Sequence, residues 1–158
     1  MTLRPLQHRL ALAGLIIATV GANAVGRPAA PIAVINAWTR PVAAAGMNAA
    51  GYMTIINRSA AADQLIGASS AAAVKVSIHQ SRQIGTVMTM RAAPSLVVPG
   101  KGKAVLAPGA FHLMLEGLKR PLRPGDRLPV SLRFARAGAV SAILDVRALA
   151  PTATGMAM

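Results

Sequence analysis

Residues 111–116 read FHLMLE. In a strand, successive side chains point to opposite faces, so Phe111, Leu113 and Leu115 share one face and His112, Met114 and Glu116 the other. The first set suits a core. The second holds an imidazole and a thioether two residues apart, a pairing that neither burial nor solubility alone would select. The same period of two extends outward from this stretch. In VKVSIH (74–79), Val74, Val76 and Ile78 form an apolar set that leaves Lys75, Ser77 and His79 on the opposite face. In LPVSLRF (128–134), Leu128, Val130, Leu132 and Phe134 point inward, with Ser131 and Arg133 outward.

Short apolar runs of this kind recur between Gly, Pro and Asn punctuation: PIAVINAW (31–38), AAGYMTIIN (49–57), QLIGASS (64–70), GTVMTMR (85–91) and AVSAILDV (139–146). No long amphipathic helix and no internal repeat interrupts them. The spacing predicts an all-β antiparallel sandwich or barrel, with a short helix at most in the Ala-rich stretch 60–73. Hydrophobic residues make up 54% of the chain but aromatics only 3%, so the core is built mainly from Val, Ile, Leu and Met.

The first residues, MTLRPLQHRLALAGLIIATVGANAV, have a basic start, an apolar run from Leu10 to Val20 and a small-residue site at Ala22-Asn23-Ala24. Residues 1–24 read as a secretory signal peptide. The run is too short for the roughly 20 apolar residues that span a bilayer. Residues 25–150 are then the domain, and 151–158 (PTATGMAM) a flexible tail. Of 17 Lys+Arg and 4 Asp+Glu, Arg4 and Arg9 fall in the leader, which leaves 15 against 4. The basic residues are scattered apart from Lys119, Arg120, Arg123 and Arg127, and stacking aromatics are scarce, which argues against a nucleic-acid platform. Cysteine is absent, so packing rather than disulfides holds the exported domain, and methionine is the soft donor that remains.

Gly85 separates VKVSIHQ from VMTMR and predicts a hairpin turning near Ile84-Gly85, which would set His79 directly opposite Met90. His112 and Met114 already share a face. Two imidazoles and two thioethers around one point favour Cu(I): hard cations prefer oxygen, and zinc takes thiolate or carboxylate. Taken singly, a Met in a β protein is ordinarily core filler and a strand His ordinarily solvated. It is the two pairings together that shift the reading. The four acids (Asp63, Glu116, Asp126, Asp145) are widely spread, and no catalytic triad order is present, so nothing points to an enzyme.

His79, ten intervening residues, Met90, twenty-one more, then His112-Leu113-Met114 resembles the His-x10-Met-x21-His-x-Met signature of the periplasmic PCuAC-type copper chaperones. The segments AAGYMTIIN, GTVMTMR and GAFHLMLEGLKRPLRPGD are similar to that family too, and the resemblance spans roughly Ile32 to Leu149. It implies a cupredoxin-like antiparallel β-sandwich binding one Cu(I) at an exposed site through His79, Met90, His112 and Met114. It also implies a protein that delivers copper by ligand exchange to a copper-accepting protein, and a monomer is expected because no extra apolar face is evident in the sequence. By analogy that acceptor is the copper-bearing subunit of cytochrome c oxidase, a Sco-type thioredoxin-like protein, or both. The chain departs from many relatives at Gln80, where they carry Glu or Met, and its tail has Met156 and Met158 but no His for a second copper. Met88 shares the face of Met90 and is an auxiliary thioether or a shield. Copper sequestration would use the same ligands, and a metal-free docking module would use the basic surface instead.

Overall fold

The structure, a computed structural model, describes residues 30–148. The expected leader (1–24) and tail (151–158) lie outside the described residues. Within them, no helix is long and apolar enough to cross a membrane. The described residues form ten strands: β1 (Ile32–Thr39), β2 (Ala49–Asn57), β3 (Asp63–Ser69), β4 (Ala73–Ile84), β5 (Val87–Ala92), β6 (Leu96–Val98), β7 (Lys103–Leu106), β8 (Phe111–Leu118), β9 (Arg127–Phe134) and β10 (Gly138–Val146).

Hydrogen bonding runs β5-β4-β8-β2-β1-β10-β9-β3-β6, with β7 on β2. A further pairing of β3 with β4 at Ala68↔Val76 closes the sheet on itself and leaves β5 and β6 as edges. The pairings are antiparallel with one exception. β1 runs parallel to β10 through Trp38↔Asp145 and Thr39↔Val146, which corrects the fully antiparallel expectation. The interior is aliphatic as the composition required: Ile55, Leu65, Leu113, Leu115, Leu132 and Leu144 have no exposed surface. Each such side chain contributes about 1.5–3 kcal/mol by leaving water.

The alternation read in FHLMLE and LPVSLRF holds, with Leu113, Leu115, Leu128, Val130, Leu132 and Phe134 all buried. Two expectations fail. The Ala-rich stretch is strand β3 rather than helix, because Leu65 fits the core and β9 and β6 hydrogen-bond it from both sides. Tertiary pairing there outweighs the helix propensity of alanine. Val74 is 78% exposed instead of inward. It lies against Gly117, whose φ of +61° breaks the pleat, so the buried positions become Ala73 and Val76 on β4 and Leu115 and Leu118 on β8.

Two buried polar side chains tie the loops at one end. The Asn57 amide donates to the carbonyls of Ala61 (2.9 Å) and Val98 (3.3 Å), and its oxygen accepts from the Ser59 N–H and hydroxyl. Asp63 accepts from the N–H groups of Gln64 (2.7 Å), Arg136 (2.9 Å) and Ala137 (2.9 Å), pinning the β9–β10 turn to the start of β3.

Candidate metal centre

β4 lies between β5 and β8, and its register decides which side chains meet. His79 faces His112 directly across β4–β8, with ring centroids 5.9 Å apart and planes inclined by 53°. On the same face Ser77 opposes Met114, and Ser81 opposes Met90. All four candidate ligands therefore share one face of the sheet.

The hairpin differs from the expected one. Its turn is Gly85-Thr86 with Ile84↔Val87, and Gly85 adopts the φ of +61° that a two-residue turn with glycine in its first position uses. Met90 consequently opposes Ser81, and Ala92 stands opposite His79. The shift is two residues rather than one, so Met90 keeps the face of His79. It becomes a diagonal neighbour, with Cβ separations of about 7–8 Å in such pairs, within reach of a long side chain. Met90 and Met114 flank the histidine pair from opposite directions, and both thioethers must lean along their strands to share one ion with it.

The histidines are poised as donors. His112 Nδ1 lies 3.2 Å from the Ala110 carbonyl, and a carbonyl can only accept, so Nδ1 bears the hydrogen and Nε2 of the neutral ring keeps its lone pair. His112 Nε2 and His79 Nδ1 are both buried without a hydrogen-bond partner. An orphaned buried polar atom costs about 1–3 kcal/mol, and two on facing rings suit a cation held between them. With nitrogen–metal bonds of about 2 Å, two imidazoles on one ion have centroids roughly 6 Å apart or less. Among the described residues no group of three or more His, Cys, Asp or Glu could hold a metal. The side chains that flank the pair on this face include the thioethers of Met90 and Met114, neutral donors suited to a soft ion of low charge.

Burial is graded across the face. His112 is 3% exposed, His79 and Met114 are half-buried, and Met90 is 51% exposed. The expected exposed site is thus corrected: one end opens to solvent and the other is sunk in the sheet. Glu116, next along this face, is engaged by the Ser77 hydroxyl at 2.7 Å and by Lys75 at 3.9 Å. Met88 opposes Gln83 near the hairpin tip, beyond Met90.

Two residues of the site escaped sequence reasoning. Tyr52 on β2 packs its ring 6.4 Å from that of His112, and Trp38 on β1 packs 4.7 Å from Tyr52. The rings of Trp38, Tyr52, His112 and His79 thus form a row across four neighbouring strands, walling the buried side of His112. The available signal was the alternation of AAGYMTIIN, which sets Tyr52 on the face opposite the core residues Met53 and Ile55.

The LpqE-like family, described as lipoproteins, matches residues 32–146. In sequence, the chain is similar to Lxx21020 of Leifsonia xyli subsp. xyli, likewise described as a lipoprotein. The two are 35% identical over 114 residues, which cover 72% of this chain and 68% of that one. In structure, it is similar to the apo PCuAC domain of PmoF1, with a TM-score of 0.63 and 26% identity, covering 75% of this chain and 95% of that one. The apo solution structure of DR1885 from Deinococcus radiodurans gives a TM-score of 0.58 at 26% identity, covering 94% and 96% of the two chains. Its Cu(I) form gives 0.55 at 26% identity, covering 80% and 83%. The likeness to PCuAC domains first read from the residues is borne out, and with it the all-β architecture. The chain belongs to the LpqE-like family and carries the fold of the PCuAC domains.

Proposed function

We propose that this protein is an extracytoplasmic Cu(I) chaperone, a carrier rather than a catalyst, that holds one ion between His79 and His112 with Met90 and Met114 completing the shell. The observation that carries this reading is the facing pair of buried, partnerless ring nitrogens, flanked on one sheet face by two thioethers. The Cu(I) form of a structural relative supports the choice of ion. Four neutral donors hold Cu(I) without a thiolate, so a dithiol acceptor can take it by ligand exchange with no change of oxidation state. Exposure orders the exchange: Met90 is the most accessible ligand and leaves first, and the buried His112 leaves last. The acceptor proposed is the copper-bearing subunit of cytochrome c oxidase or a Sco-type thioredoxin-like protein, on the strength of the family resemblance. Export rests on the leader-like residues 1–24 and on the lipoprotein description of the relatives. The 158 residues hold no cysteine through which a lipid could be attached.

Anaerobic Cu(I) titration of the protein against a competing chelator tests the reading. One tightly held equivalent is expected, and a protein that leaves all copper with the chelator overturns it. The aromatic wall gives a second readout. Tyr52→Leu, which loosens the support of His112, should weaken Cu(I) binding about 10–100-fold, as loss of an orienting partner does. Tyr52→Phe, which keeps the ring, should leave the affinity within a few fold of wild type. Equal affinities in the two variants would show that the ring does not position His112.

A further inference from the structure

The β4–β5 hairpin extends beyond the body as an arm. Past Ser81 every residue of β4 is exposed, and of β5 only Thr89 is half-buried. The arm has two dissimilar faces. Met88 and Met90 lie on the face of the metal site. On the reverse face, Gln80, Arg82 and Ile84 alternate with them and pair with Arg91, Thr89 and Val87. There a groove of about 340 Å³ is lined by Gln80, Arg82, Ile84, Thr89, Arg91 and Pro94 among others, which sets two arginines beside apolar surface.

Among the described residues neither guanidinium has an ion-pair partner. The chain has four acids, and each is already engaged: Glu116 by Lys75, Asp126 by Arg120, Asp145 by Arg127 and Arg147, and Asp63 by three backbone N–H groups. No carboxylate lines the groove. Two like charges are thus held on a short edge hairpin without internal compensation, a few residues from the ligand that exchange reaches first.

We propose that this groove docks an acidic, partly apolar segment of the copper-accepting protein, so that the arm carrying Met90 is also the arm the acceptor grips. The inference rests on the delivery reading and names the surface and chemistry of the partner. Carboxylates of the partner pair with Arg82 and Arg91, its apolar side chains cover Ile84 and Pro94, and its thiols arrive beside Met90. Electrostatic docking of this kind acts on the encounter rate and weakens with salt, and leaves the affinity of the site for its ion untouched.

The test uses two synthetic acceptor peptides with the same Cys-x-x-x-Cys dithiol, one flanked by Glu and Leu and the other by Gln and Leu. Cu(I) transfer from the loaded protein is timed at low and high ionic strength. Wild type, Arg82→Glu/Arg91→Glu, and a control with the same charge change elsewhere, Arg58→Glu/Lys103→Glu, are compared. The Glu peptide should be loaded about tenfold faster than the Gln peptide at low salt by wild type and control. The arm variant should lose that preference with its Cu(I) affinity unchanged. A preference retained by the arm variant, or lost equally by the control, overturns the proposal in favour of overall charge. If the protein holds no Cu(I), the delivery reading fails by itself. Anisotropy binding of the labelled Glu peptide to the three metal-free proteins still reports on the groove, and equal binding to all three overturns it.

Discussion

Replacing His112 with Phe should abolish useful Cu(I) binding while leaving the metal-free protein as stable as before, or more so. Loss of an orienting neighbour already costs a metal site 10–100-fold, so loss of a donor should cost at least about 100-fold. The stability side follows from the hydrogen bonds. His112 Nε2 is buried with no partner, and a ring of similar size without the polar atom removes that penalty of about 1–3 kcal/mol. The bond from Nδ1 is lost, but the Ala110 carbonyl it contacted also accepts from the Ser81 N–H at 3.0 Å and stays satisfied. Chelator competition and thermal melting of His112→Phe therefore move in opposite directions. A variant that binds as wild type does, or one that melts well below it, would show that His112 serves the fold and not the ion.

The second large effect is structural. Asp63→Ala should lose about 3 kcal/mol at pH 7, because three backbone N–H groups from β3 and the β9–β10 turn lose their common acceptor. Burial raises the pKa of this carboxyl, but the N–H groups of Arg136, Ala137 and Gln64, helped by the Arg136 charge, outweigh it and hold the group below its ordinary value. A depressed pKa means that the unfolded chain takes up the proton first. The stabilisation is thus complete above about pH 4 and fades as the pH falls through the lower folded value. In urea denaturation the gap between wild type and Asp63→Ala should be widest near neutrality and should narrow below pH 4. A gap that does not change with pH would assign the effect to packing instead.

What could be read from the residues, and what could not, divides on a physical line. Alternation fixes the face of a side chain, so the core positions of FHLMLE and LPVSLRF and the shared face of His79 and Ser77 were legible locally. It cannot name the partner across the sheet. That His79 meets His112 depends on β8 lying beside β4, a long-range choice made by core packing. The hairpin register missed by two residues because the turn is set by the left-handed backbone of Gly85, which a glycine in the sequence permits but does not announce. Val74 was misplaced for the same reason at Gly117. Tyr52 could not be linked to the site without knowing that β2 borders β8.

The parallel pairing of β1 with β10 has a consequence for how the molecule is made. The first and last strands are hydrogen-bonded neighbours, so a ribosome or translocation pore that releases the chain from its N-terminus leaves the ring open until Val146 has emerged. Contacts of such long sequence separation slow folding, and during the wait β1 and its neighbour β2 expose edges able to pair with other chains. A chain that still lacks β10 therefore cannot close its ring, and such incomplete chains are the population most open to pairing with other molecules.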